Sequence, residues 1–187
     1  MPAEQPTFID GFTRPVDIRA DTTALIVVDM QNATGNRSMG LGKLLESQGR
    51  AASSGYRFDR IETLLVPNIA RLADAFRKTG GTVLFVTYGS ELSDYSDAPA
   101  HMRPIIEATG NCAGRAEHEI VDALKPGPGE LVLNKKTMGA FGSTGIDTNL
   151  KAMGIETVVV VGVSEGRLPI RFAETPSEIE EERRLLY

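Results

Sequence analysis

A chain of 187 residues with 41% hydrophobic and 24% charged side chains fits one soluble globular domain with a real core. Its net charge of −5 argues against a nucleic-acid-binding surface as its main business, since such surfaces carry a basic balance. One cysteine permits no internal disulfide, and no apolar signal core or bilayer-length apolar run is present, so a soluble, cytoplasmic protein without a membrane partner is expected.

Residues 1–20 hold three prolines and scattered charges without a period, and read as a surface arm. Ala24-Leu25-Ile26-Val27-Val28 is a short, continuous, mostly β-branched run closed by Asp29, the pattern of a strand buried on both faces. Residues 32–57, rich in Gly, Ser, Asn and Arg, read as a long loop with at most one helical turn, of the kind that often forms a lid or binding element. Ile61, Leu64, Leu65, Ile69, Leu72, Ala73 and Phe76 then recur at helical spacing up to Gly80-Gly81. Pro67 within that pattern predicts either a kink or a helix start near it.

Thr82 to Tyr88 is the second predicted strand, and residues 89–116 a second long polar connection. A short helix is expected from Ala116 to Leu124, stopped by Lys125-Pro126-Gly127-Pro128-Gly129. A strand follows at Glu130–Leu133, a helix at Ile146–Met153, and a fourth strand at Thr157–Val161. Strands alternating with helices give a three-layer α/β/α domain around a parallel sheet.

In such open sheets the working groups collect just beyond the carboxyl ends of the strands. Asp29 ends the first strand, Lys135 follows the third, and Ser164 follows the fourth. A carboxylate and an amine brought together there can serve as a base and its charge partner.

The flanks of these residues carry a resemblance. Val27-Val28-Asp29-Met30-Gln31, Asn134-Lys135 with Ala140-Phe141 beyond it, Thr144-Gly145-Ile146 with Leu150, and Val160-Val161-Gly162-Val163-Ser164 resemble, in this order, the isochorismatase-like cysteine hydrolases. The resemblance covers about residues 20–164 and implies a Rossmann-like α/β domain over 21–164. It implies hydrolysis of an amide, ureide or vinyl-ether bond of a small polar substrate, and the sequence itself suggests no cofactor and no metal site. Asp29 would match the family's proton-accepting aspartate and Lys135 the lysine that holds it. A cis peptide at Val163–Ser164 would turn N–H groups toward the oxyanion, and Gln31 and Phe141 would line the substrate pocket. Relatives are commonly oligomers, so a homo-oligomer is expected.

The chain departs from that pattern after Ser164. Where the family reaches its nucleophilic cysteine, this sequence has Leu168, followed by Pro169. The only cysteine, Cys112, lies far upstream, and the loop carboxylates Asp94 and Asp97 have no neighbouring histidine to suggest a metal site. Leucine has no proton to give and no lone pair to attack with, so a scaffold without its nucleophile, a pseudoenzyme, is the expectation. A non-catalytic binding or assembly module is the alternative. The family's last strands are missing on this reading, which would leave an open edge on the fourth strand. The tail, residues 165–187, is Glu/Arg-rich. Its Glu165-Gly166-Arg167-Leu168-Pro169 and Glu180 to Tyr187 pieces look like part of a superfamily 1 DNA helicase, though no Walker-type phosphate loop accompanies them.

Overall fold

The computed structural model describes residues 18–163 and 172–173. The arm up to residue 17, Ser164, Leu168 and nearly all of the 165–187 tail therefore lie outside the described residues. The helicase-like pieces fall there too.

Four parallel strands form the body of the sheet: β1 (Thr23–Val28), β2 (Thr82–Tyr88), β3 (Leu131–Lys135) and β4 (Thr157–Gly162). Their order is β3-β2-β1-β4, and a two-residue strand, β5 (Phe172–Ala173), adds to β4 in the antiparallel sense. The expectation of an open edge on β4 is corrected in part, because β5 pairs with Val158 and Val159. Among the described residues the upper half of β4 has no strand on its outer side, and Val160 is 41% exposed.

The central strand is apolar from Ala24 to Val28 because both of its faces are covered. Leu25 and Val27, with Val83 and Phe85, pack against Phe58, Ile61, Ile69 and Ala73 of one helical layer. Ala24 and Ile26, with Leu84, Val86 and Val158, pack against Ile146 and Leu150 of α6 (Ile146–Ala152) on the other. The three-layer α/β/α arrangement is thus present. No described helix is long and apolar enough to cross a membrane.

Residues 32–57 are not a loop. They hold α1 (Asn32–Gly35), α2 (Gly40–Ser47) and the start of α3 (Ala51–Arg60). A Cβ at position 42 would stand 1.9 Å from the Arg37 carbonyl oxygen, so this glycine serves close packing. Helical backbone then runs unbroken from α3 through a π-turn (Ile61–Leu65) into α4 (Val66–Lys78), with Pro67 in the first turn of α4. Proline cannot donate to the fourth carbonyl behind it, and its ring crowds that carbonyl. The wide turn, closed by Val66 N–H to Ile61 C=O, sits immediately before it and carries the chain past without ending the helix.

The second long connection contains α5 (Arg103–Thr109). The helix expected over Ala116–Leu124 is replaced by turns and a single 3-10 turn (Asp122–Leu124). Those residues spend their backbone groups elsewhere: Asn32 N–H bonds to Glu119 C=O at 2.9 Å, and Val121 N–H to Met30 C=O at 2.9 Å.

Candidate active site

Register brings the strand ends to one level. Val28 pairs with Val86 on one side and with Gly162 on the other, while Tyr88 pairs with Lys135. Asp29 leaves β1 with φ +57°, in the left-handed region that few non-glycine residues adopt, and its N–H still reaches Val86 C=O at 2.9 Å. That turn swings its carboxylate toward β3. Lys135 Nζ stands 2.8 Å from Asp29 Oδ2 and donates also to Met138 C=O at 2.9 Å. The pair is largely sealed from solvent, with side chains 6% and 18% exposed for Lys135 and Asp29.

Burial pushes the Asp29 carboxyl above the ordinary aspartate range, opposed by the Lys135 ammonium. The second oxygen, Oδ1, is buried without a hydrogen-bond partner among the described residues. An acceptor with raised proton affinity and a vacant lone pair, held by a fixed cation, is equipped to take a proton from a neighbouring acid.

β4 ends against this turn. A Cβ at position 162 would lie 2.1 Å from the Val28 carbonyl oxygen, so only glycine lets β4 close on the residue preceding Asp29. The isochorismatase domain family matches residues 23–165. The chain belongs to that family.

Ureidoacrylate amidohydrolase RutB of Methylorubrum extorquens is 32% identical over 166 residues, a match covering 80% of this chain and 62% of that protein. A second RutB, of Variovorax paradoxus, is 30% identical, with 87% and 66% covered. The chain spans a little under two thirds of the length of these curated relatives. Among solved structures, an isochorismatase family protein from Desulfovibrio vulgaris superposes with a TM-score of 0.61 at 28% identity, covering 89% of this chain and 77% of that one. N-carbamoylsarcosine amidase from Thermoplasma acidophilum gives 0.54 at 25% identity, covering 75% and 67%.

Within this isochorismatase domain the other sequence-derived site residues fall as follows. Phe141 is half-buried with Ala140 against the Ile146–Leu150 core. Gln31 is fully buried, its carboxamide engaged by backbone groups of Tyr88 and His118. Val163 is half-buried beside the α3/α4 layer, whereas Ser164 and Leu168 lie outside the described residues, and the Val163–Ser164 bond with them. Cys112 is 2% exposed and its thiol donates to Leu92 C=O at 3.4 Å.

Sequence reasoning missed a polar cluster around the end of β2. Lys136 Nζ stands 2.5 Å from Asp97 Oδ2 and 3.5 Å from Glu91, and donates to Gly89 C=O. The Ser90 hydroxyl donates to Asp97, and the N–H groups of Glu91 and Leu92 reach the same carboxylate. The adjacent lysines were the available signal: Lys135 ends β3, Lys136 follows it, and each finds its own carboxylate. Burial pushes the Asp97 carboxyl up, but bonds from Lys136, Ser90 and the two N–H groups outweigh it and hold the group well below the usual range. A lowered folded value stabilises above the unfolded value of about pH 4, and that stability is lost as pH falls through the folded value. Asp97→Asn is therefore expected to flatten the acid limb of stability below about pH 4, read from urea midpoints across pH. An acid limb identical to that of the parent protein would contradict this account of the cluster.

His118 adds a further polar node. Its Nδ1 lies 2.9 Å from Asn111 Oδ1 and 3.3 Å from Gln31 Nε2. Burial lowers its pKa, with Glu119 opposing.

Proposed function

We propose that residues 21–164 form a scaffold for hydrolysing an amide or ureide C–N bond, or a vinyl ether, of a small polar molecule. Asp29 and Lys135 are its acid–base pair on this reading. The observation that carries it is the buried 2.8 Å contact between them at the sheet's carboxyl edge. The relatives RutB, a ureidoacrylate amidohydrolase, and N-carbamoylsarcosine amidase support the bond class.

The family chemistry implied by the resemblance needs a thiol that gives its proton to Asp29 and attacks the carbonyl carbon. The amine then leaves with a proton, and water releases the acyl group from sulfur. Leu168 stands in the thiol's place in the sequence, so we propose that turnover by this chain is lost or severely impaired. The test is ammonia release from ureidoacrylate and from N-carbamoylsarcosine, compared with Asp29→Asn. Rates indistinguishable from that variant are expected. Turnover that exceeds the variant's and survives thiol alkylation would overturn the impairment.

A second reading, an assembly module, is favoured by the exposed Val160 on the upper half of β4, which has no strand outside it among the described residues. It makes the protein a homo-oligomer, and a monodisperse monomer in light scattering would refute it. The helicase-like pieces of the tail stay a resemblance in sequence and take no part in either reading.

A further inference from the structure

We propose that Gln31 is a positioning residue: its carboxamide fixes the Asp29–Lys135 pair from behind instead of meeting substrate. The proposal rests on reading that pair as the working acid and base.

Backbone pairing between β1 and β2 ends at Val28 and Val86, because the main chain turns away at Asp29. The next β2 residue facing that side is Tyr88, and the Gln31 side chain takes the place the strand has vacated. Its Oε1 accepts the Tyr88 N–H at 2.9 Å, and its Nε2 donates to the Tyr88 carbonyl at 3.0 Å. The second amide hydrogen goes to the His118 carbonyl at 2.8 Å. A carboxamide is a peptide group in miniature, and here it continues the ladder two residues past the turn.

Tyr88 pairs on its other side with Lys135. Gln31 thus joins the segment that carries Asp29 to the strand position that carries Lys135. The bracket runs Asp29, Gln31, Tyr88, Lys135, and the ion pair closes it. Main-chain contacts flank the same turn: Val121 N–H on Met30 C=O, and the N–H of Gly35 on Gln31 C=O at 2.7 Å. Gln31 itself is 0% exposed, and its amide nitrogen is surrounded by acceptors inside the protein: the Tyr88 and His118 carbonyls, with Asn111 Oδ1 at 3.2 Å.

The test reads the pair directly and needs no turnover. The Lys135 ammonium, 6% exposed and bonded to Asp29 and Met138, should exchange its protons slowly with water, as followed by 15N-resolved NMR of the lysine side chains. In Gln31→Met the exchange is expected to accelerate at least about tenfold, at a temperature where the variant is folded. Ile69→Val, a core change remote from the bracket, controls for loss of stability and should leave the rate unaltered. Should Gln31→Met fail to fold, Gln31→Glu serves: a protonated glutamic acid can still accept from Tyr88 and donate to one carbonyl, whereas the carboxylate faces two carbonyls. Its exchange rate relative to the parent protein should therefore be near one in acid and climb with pH. A Gln31→Met rate within about twofold of the parent, or a flat ratio for Gln31→Glu, overturns the proposal. Absence of Asp29-dependent chemistry, even after a thiol is restored at position 168, would instead strike the functional reading and leave the exchange result standing.

Discussion

Lys135→Met is expected to cost about 3–5 kcal/mol of stability at neutral pH, the usual penalty for breaking a buried pair from one side. The reason lies in what is left behind. Asp29 keeps its burial, Oδ1 already lacks a partner, and Oδ2 would lose the ammonium at 2.8 Å. With the opposing cation gone, burial alone governs the carboxyl and raises its pKa further. A carboxyl whose folded value exceeds its unfolded value of about 4 binds its proton more tightly when folded. Stability is then fully present below that unfolded value and falls as pH rises through the folded one. The penalty should therefore shrink on acidification, and urea midpoints between about pH 4 and 8 would display it. Asp29→Asn combined with Lys135→Met removes both charges and should recover a large part of the loss. A single variant within about 1 kcal/mol of the parent at neutral pH would mean that the pair is not buried as described.

Gly162→Ala is the second severe change. The new methyl would meet main-chain atoms, Val28 O at 2.1 Å and Val28 C at 2.9 Å, and these cannot rotate aside as a side chain would. The carboxyl ends of β1 and β4 would have to part where they pair through Val28 and Gly162. Overpacking of this kind costs about 3 kcal/mol, which in a protein of this size lowers Tm by roughly 6–12 °C. Val160→Ala, two residues earlier on the same strand but 41% exposed, should change Tm far less. Similar melting for the two variants would show that β4 does not close on β1 at Gly162.

The four parallel strands were legible because each holds a short apolar run bounded by breakers, and β1 and β2 are buried on both faces. Asp29 and Lys135 were legible from their places at strand ends. The segment 32–57 was not. Its glycines look like loop residues, yet Gly42 is there because α2 presses on the Arg37 carbonyl. Of α3, only Phe58 is buried as a large apolar side chain, so that helix depends on its continuity with α4 and on Arg37, which bridges Asp59 and Glu62. The failed helix at 116–124 has the opposite cause, since local propensity yielded to pairing with residues 30–33. The carboxamide of Gln31 reads as a pocket group in sequence because its partners, Tyr88 and His118, lie 57 and 87 residues away.

The strand order has a consequence for the chain as it is being made. β1 emerges first, yet its two neighbours come from distant parts of the sequence, β2 at Thr82–Tyr88 and β4 at Thr157–Gly162. Asp29 and Lys135 are both present once β3 has left the ribosome, whereas the far side of β1 stays bare until β4 follows. Closing so long a loop is entropically slow, and through that interval an apolar strand offers an unpaired row of amides to any neighbouring chain. Whatever delays β4 therefore exposes the molecule to aggregation at its centre.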